Sequence, residues 1–154
     1  LRRSTRRSIA WSMSKASEFR RGRHVIHNLN AHLVFVPKYR RKVISSMVFE
    51  RLLDTFKKVC SDFECELKEH GYEDDHVHLL ISYPPKVALS TLVNSLKGVS
   101  ARLLRAANLP EVRTKLWGEH FWSPSYCVVS CGGAPLEIVR HYVEQQRGEA
   151  SSPP

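Results

Sequence analysis

Nothing in this chain approaches the run of roughly 20 apolar residues that spans a bilayer, so a helical membrane protein is not expected. The Arg-rich N-terminus is followed by no long apolar stretch, so a secretory signal is not expected either. Cysteine is scarce. Cys60 and Cys65 stand five apart and Cys127 and Cys131 four apart, which departs from the close pairs of zinc modules. The four read as buried, reduced thiols of a cytoplasmic protein. No internal repeat and no long linker interrupts the 154 residues, a length suited to one domain with a substantial core. Acidic residues are in deficit, 15 against 24 Lys and Arg, and the resulting charge of +9 points to a polyanionic partner.

Most of that charge is local. Residues 1–23 hold eight basic side chains against the single acid Glu18, so they carry seven of the nine surplus charges. A solvated, disordered basic segment is expected there. Met13 offers an alternative start, in which case residues 1–12 are not native. Residues 24–147 form the expected domain, and 148–154, rich in Ser and Pro, a C-terminal tail.

Within the domain the hydrophobic pattern changes period several times. Ala31–Val36 is a β-branched and aromatic run closed by Pro37, which predicts a strand followed by a basic loop at 38–42. From Ser46, apolar residues at Phe49, Leu52, Leu53, Phe56, Val59 and Cys60 recur at helical spacing. Phe63, Cys65 and Leu67 alternate with Glu64, Glu66 and Lys68, as in a half-buried strand, and Gly71–Asp75 is expected to turn the chain. His76–Ser82 follows as a strand, Leu89–Leu104 as an amphipathic helix, 117–125 as an aromatic-rich loop and Tyr126–Ser130 as a strand. Gly132-Gly133 breaks the pattern, and Pro135 suits the first turn of a last helix ending near Gln146. The order β-α-β-β-α-β-α predicts an α+β fold, a ferredoxin-like or RRM-like antiparallel sheet with helices on one face and an additional C-terminal helix.

Two groups of residues have chemical potential. On a strand, Val77, Leu79 and Ile81 share one face and His76 and His78 the other, about 6–7 Å apart at Cα for a rise of about 3.3 Å per residue. Two imidazoles so placed can converge on a divalent cation, or be surface histidines on an open sheet. In the last helix, Ile138, Tyr142 and Gln146 recur every four residues, so a phenol and an amide one turn apart can reach a common site. Packing of Tyr142 with its hydroxyl in water satisfies the same spacing.

Longer strings decide between these readings. Arg20-Arg21-Gly22-Arg23-His24, His32-Leu33-Val34-Phe35-Val36-Pro37-Lys38-Tyr39-Arg40-Arg41, Asp75-His76-Val77-His78-Leu79-Leu80, Leu96-Lys97-Gly98, Leu116-Trp117-Gly118, Phe121-Trp122-Ser123-Pro124-Ser125-Tyr126, Gly132-Gly133-Ala134 and Tyr142-Val143-Glu144-Gln145-Gln146 follow in that order. Together they resemble the small single-tyrosine HUH transposases of the IS200/IS605 insertion sequences over about residues 18–147. The resemblance implies a metal-dependent enzyme that nicks and rejoins single-stranded DNA with hairpin ends through a 5′-phosphotyrosine, without ATP. It implies that His76, His78 and Gln146 hold Mg2+ or Mn2+ and that Tyr142 is the nucleophile. It further implies a homodimer in which one chain's tyrosine serves the other chain's histidines, with Gly132-Gly133 as the hinge. Lys38, Arg40, Arg41, Lys42, Lys97, Arg102 and Arg105 are candidates for phosphate contact, and Trp117, Phe121 and Trp122 for base stacking or packing. A non-enzymatic RRM-like nucleic-acid-binding module would need exposed aromatic residues on the central strands, where this sequence offers imidazoles. A domesticated nickase would keep the same site.

Overall fold

The computed structural model describes residues 19–116, 120–130 and 142–145. A short hairpin, β1 (Arg20–Arg21) with β2 (Ile26–His27), precedes the main sheet. Arg20 and Arg21, read from sequence as part of the basic tail, are thus in a strand. Arg20 donates to the carbonyls of Glu64 at 2.8 Å and Ser82 at 3.3 Å.

The main sheet contains β3 (Asn30–Phe35), β4 (Glu66–Glu73), β5 (His76–Ser82) and β6 (Cys127–Ser130) in the order β4-β5-β3-β6, every pair antiparallel. Helix α1 (Ser46–Asp62) connects β3 to β4, and α2 (Leu89–Ala107) leads from β5 toward β6, followed by the short α3 (Pro110–Leu116). Each long connection skips one strand, which is the split βαβ arrangement expected from the element order. Leu33, Phe35, Val77, Leu79 and Ile81, all 0% exposed, meet Leu52 and Phe56 of α1 and Leu92 and Leu96 of α2 in one core. Both long helices therefore cover the same face of the sheet.

The helix ends follow from local chemistry. Ser45 caps α1, its Oγ accepting from the Val48 amide at 3.2 Å, so the cap lies one residue before the helix rather than within it. Asn108 ends α2 in the left-handed conformation that asparagine tolerates. No helix among the described residues is long and apolar enough to cross a membrane.

Two expectations are corrected. Strand β4, expected from Phe63 to Lys68, starts at Glu66 and continues through Gly71 to Glu73, so the turn is confined to Asp74-Asp75. Gly71 is a strand residue paired with His78. The helix α3, unexpected from sequence, occupies the segment ahead of the aromatic loop. Within that loop Phe121 and Trp122 are 4% and 5% exposed, and Trp122 Nε1 donates to Ser100 Oγ at 3.0 Å. Both rings are packing residues in this structure, so base stacking does not fall to them. Trp117 lies outside the described residues.

Candidate active site

The sheet face opposite the helices carries the chemistry. Its composition follows from register, because residues directly paired across antiparallel strands point the same way. One row across it is Glu73 and His76, and the next is Gly71, His78, Val34 and Cys127. A third is Glu69, Leu80, His32 and Val129. The His76 and His78 rings are 6.3 Å apart between centroids, and His32 stands 5.6 Å from His78.

His76 is held in a fixed tautomer. A carboxylate can only accept, so the 2.9 Å contact between His76 Nδ1 and Asp75 Oδ1 makes Nδ1 the donor. In the neutral ring that leaves the lone pair on Nε2, the arrangement common to metal-binding histidines. Asp75 is in turn fixed by Arg40, whose Nε donates to Oδ2 at 2.7 Å. Burial pushes the Asp75 carboxyl up, but the hydrogen bonds from His76 and Arg40, with the Arg40 charge, outweigh it and hold the group below its usual value. Arg40 lies in the turn spanning Lys38–Arg40, where the chain takes positive φ at Tyr39 and Arg40, 59° and 52°.

The donor set fits a divalent cation. Ligand atoms of Glu73, Asp75 and His76 lie within 4.8 Å of one another. Both Asp75 oxygens are occupied by Arg40 and His76, so its part is to orient His76, and Glu73 is the available carboxylate of the two. His78 is outside that closest group. For a metal–nitrogen bond of about 2.1 Å, two imidazoles on one ion have centroids about 6.5 Å apart when trans and about 5.3 Å apart at a tetrahedral angle, so from the observed 6.3 Å the two rings would turn toward each other to share a tetrahedral ion. Burial, with the neighbouring His32 and His76, lowers the pKa of His78, favouring the neutral ring that ligation requires. Sequence periodicity shows Glu73 only as a residue inside the expected Gly71–Asp75 turn, since nothing in it reveals the cross-strand pairing with His76.

Tyr142 is placed on this same face. Residues 142–145 are helical, and buried Val143 rests on Val34, the cross-strand neighbour of His78. Tyr142 packs beside them with Cys127, and its hydroxyl is 3.1 Å from Ser125 Oγ. The Ser125 loop is anchored from α2, where Lys97 Nζ donates to the carbonyls of Ser123 at 2.6 Å and Ser125 at 3.0 Å. Burial pulls the pKa of this ammonium down. Gln146 and Gly132-Gly133 lie outside the described residues. Of the basic candidates, Arg40 and Lys97 are turned inward on Asp75 and on the serine loop. Arg41, Lys42, Arg102 and Arg105 are exposed, and Lys38 stands over the Tyr39 ring at 5.3 Å.

The family model described as "Transposase IS200 like" matches residues 25–146. The chain belongs to this family of transposases. It is 34% identical to the ISDra2 transposase TnpA of Deinococcus radiodurans over 129 residues, 84% of this chain and 91% of that one. It is 29% identical to the transposase for insertion sequence element IS200 of Salmonella typhimurium, over 85% of this transposase and 88% of the other. The crystal structure of a Deinococcus radiodurans R1 protein assigned as a transposase superposes with a TM-score of 0.75 at 31% identity, covering 82% of this chain and 97% of that one. A REP-associated tyrosine transposase bound to a REP hairpin shares the fold, with a TM-score of 0.51 at 16% identity over 81% of this chain and 68% of that one.

Proposed function

We propose that this transposase nicks and rejoins single-stranded DNA at insertion-sequence ends, with Tyr142 as nucleophile and a Mg2+ or Mn2+ ion held by His76, His78 and Gln146, with Glu73 as a further donor. The observation that carries this reading is the seat of the tyrosine helix on the imidazole-bearing face, through Val143 on Val34 beside His78. When bound, the cation polarises a phosphate oxygen and stabilises the departing 3′ oxygen.

The chain's own residues account for the rest. Tyr142 Oη, losing its proton, attacks the phosphorus, the P–O3′ bond breaks, and the 3′ oxygen leaves to become a hydroxyl. The 5′-phosphotyrosine formed keeps the phosphodiester's energy, so attack by another 3′-hydroxyl restores a DNA strand without ATP. Ser125 and the Lys97 clamp hold the phenol in its own-chain seat. Asp75 keeps the lone pair of neutral His76 on Nε2. In the active homodimer, the tyrosine helix of one chain serves the histidines of the other, so the own-chain seat is one of two positions of that helix. The substrate is a strand with a hairpin near the element end, a choice supported by the hairpin-bound structural relative.

The test is incubation of the protein with a labelled single-stranded element end and Mn2+ or Mg2+. A protein–DNA adduct that survives denaturant is expected, and it should disappear when a chelator removes the metal. Adduct formation undiminished by chelator overturns the metal site. Exposed Arg41 and Lys42 are proposed to contact phosphates. Replacing both with alanine should weaken binding for all sequences alike and reduce the salt slope by roughly 0.7 per lost contact, read from binding titrations at several salt concentrations. An unchanged slope removes them from the interface.

A further inference from the structure

We propose that Gly71 is a positioning residue for His78, acting through the side chain it lacks; this rests on the metal reading above. Gly71 faces His78 directly across β4 and β5. A Cβ built on Gly71 would lie 2.3 Å from His78 Nε2 and 2.5 Å from Cε1. The imidazole therefore occupies the volume that any other residue at position 71 would fill. The strand itself has no need of glycine, which weakens strand interiors by roughly 0.5–1 kcal/mol relative to alanine.

The opposite side of the ring is bounded by His32, tilted 55° to it on β3. Both His32 nitrogens are out of solvent and have no hydrogen-bond partner among the described residues, so that wall makes contact without competing for a proton. Between these walls the ring leans toward β4, which turns Nε2 to the strand that carries Glu73 on the same face. Gly71 thus sets the direction in which a ligand atom is presented.

The nature of the collision makes the idea testable. The clashing atoms are the far end of a side chain rather than backbone, so Gly71→Ala is accommodated by rotation of His78 and not by movement of the strands. Gly71→Ala is expected to melt at or slightly above the parent temperature. In the metal-free protein, the 15N ring resonances of His78 should shift while those of His76 stay. Mn2+ affinity, titrated by electron paramagnetic resonance, should fall by about 10-fold or more, the usual range for residues that orient a ligand.

Unchanged His78 ring resonances in metal-free Gly71→Ala, or Mn2+ affinity within twofold of the parent, overturn the proposal. The double variant Gly71→Ala/His78→Ala removes the ring from the comparison. It should fold even if Gly71→Ala does not, and should bind Mn2+ as His78→Ala alone does. If it unfolds like the single variant, Gly71 acts on the strands and the proposal fails. His78→Ala separately tests the underlying reading. Parent-like Mn2+ affinity in that variant refutes His78 as a ligand, whereas the metal-free ring resonances still report on the seat.

Discussion

Tyr142→Phe is expected to abolish the covalent protein–DNA adduct, lowering its rate of formation by about 10⁴-fold or more, as removal of a nucleophile does in other covalent enzymes. The substitution deletes one oxygen and leaves the ring against Val34, Val143 and Cys127. The hydrogen bond lost to Ser125 Oγ contributes about 0.5–1.5 kcal/mol. The fold and the DNA-binding surface should therefore persist. Binding of a single-stranded element end, measured by fluorescence anisotropy without metal, should match the parent within about twofold. An adduct formed at the parent rate by Tyr142→Phe assigns the nucleophile elsewhere. Lost binding together with lost adduct marks the phenol as part of the recognition surface instead. A parallel Ser125→Ala variant, which removes that one contact and keeps the hydroxyl, should retain the adduct.

The route by which each site residue became visible explains where sequence reasoning stopped. The period-2 pattern of His76–Ser82 separated core from imidazole face, and the buried Val77, Leu79 and Ile81 lie on the helix-covered side as that alternation requires. Tyr142 was different. Its helical spacing suited packing as well as chemistry, and in the structure it does pack, on the imidazole face. Glu73 was hidden because its relation to His76 is a matter of strand register, a long-range property that a local pattern does not encode. Gly71 was misread for a related reason. Glycine beside two aspartates carries a turn signal, but the steric demand that keeps it small comes from a ring on the neighbouring strand. Arg40 and Lys97 illustrate the same limit for charge, since basic residues in a loop and on a helix read as solvent-facing until their buried acceptors are seen.

Asp75→Asn should destabilise the protein by about 2–3 kcal/mol, a fall in Tm of roughly 5–10 °C. Asp75 is 5% exposed and accepts from two donors, Arg40 Nε and His76 Nδ1. Asparagine offers one acceptor oxygen and an amide that itself donates, so both contacts survive only if His76 moves its proton from Nδ1 to Nε2. The Arg40 guanidinium also loses its counter-charge, but 17% of its side chain is exposed to water, which places the cost at or just below the lower end of the roughly 3–5 kcal/mol for broken buried pairs. The same ion pair ties the left-handed turn at Tyr39 and Arg40 to Asp75. The neighbouring Asp74→Asn, at an exposed position, should stay within about 0.5 kcal/mol of the parent. The pH dependence has a definite sign. Since the folded-state pKa of Asp75 is depressed, its contribution is complete above the unfolded value and is lost as pH falls through the folded one. The stability gap between parent and Asp75→Asn, followed by thermal melts, should therefore be constant near neutrality and close below about pH 4. A gap that persists undiminished into strong acid would show that shape, and not the carboxylate's charge, joins the Arg40 turn to His76.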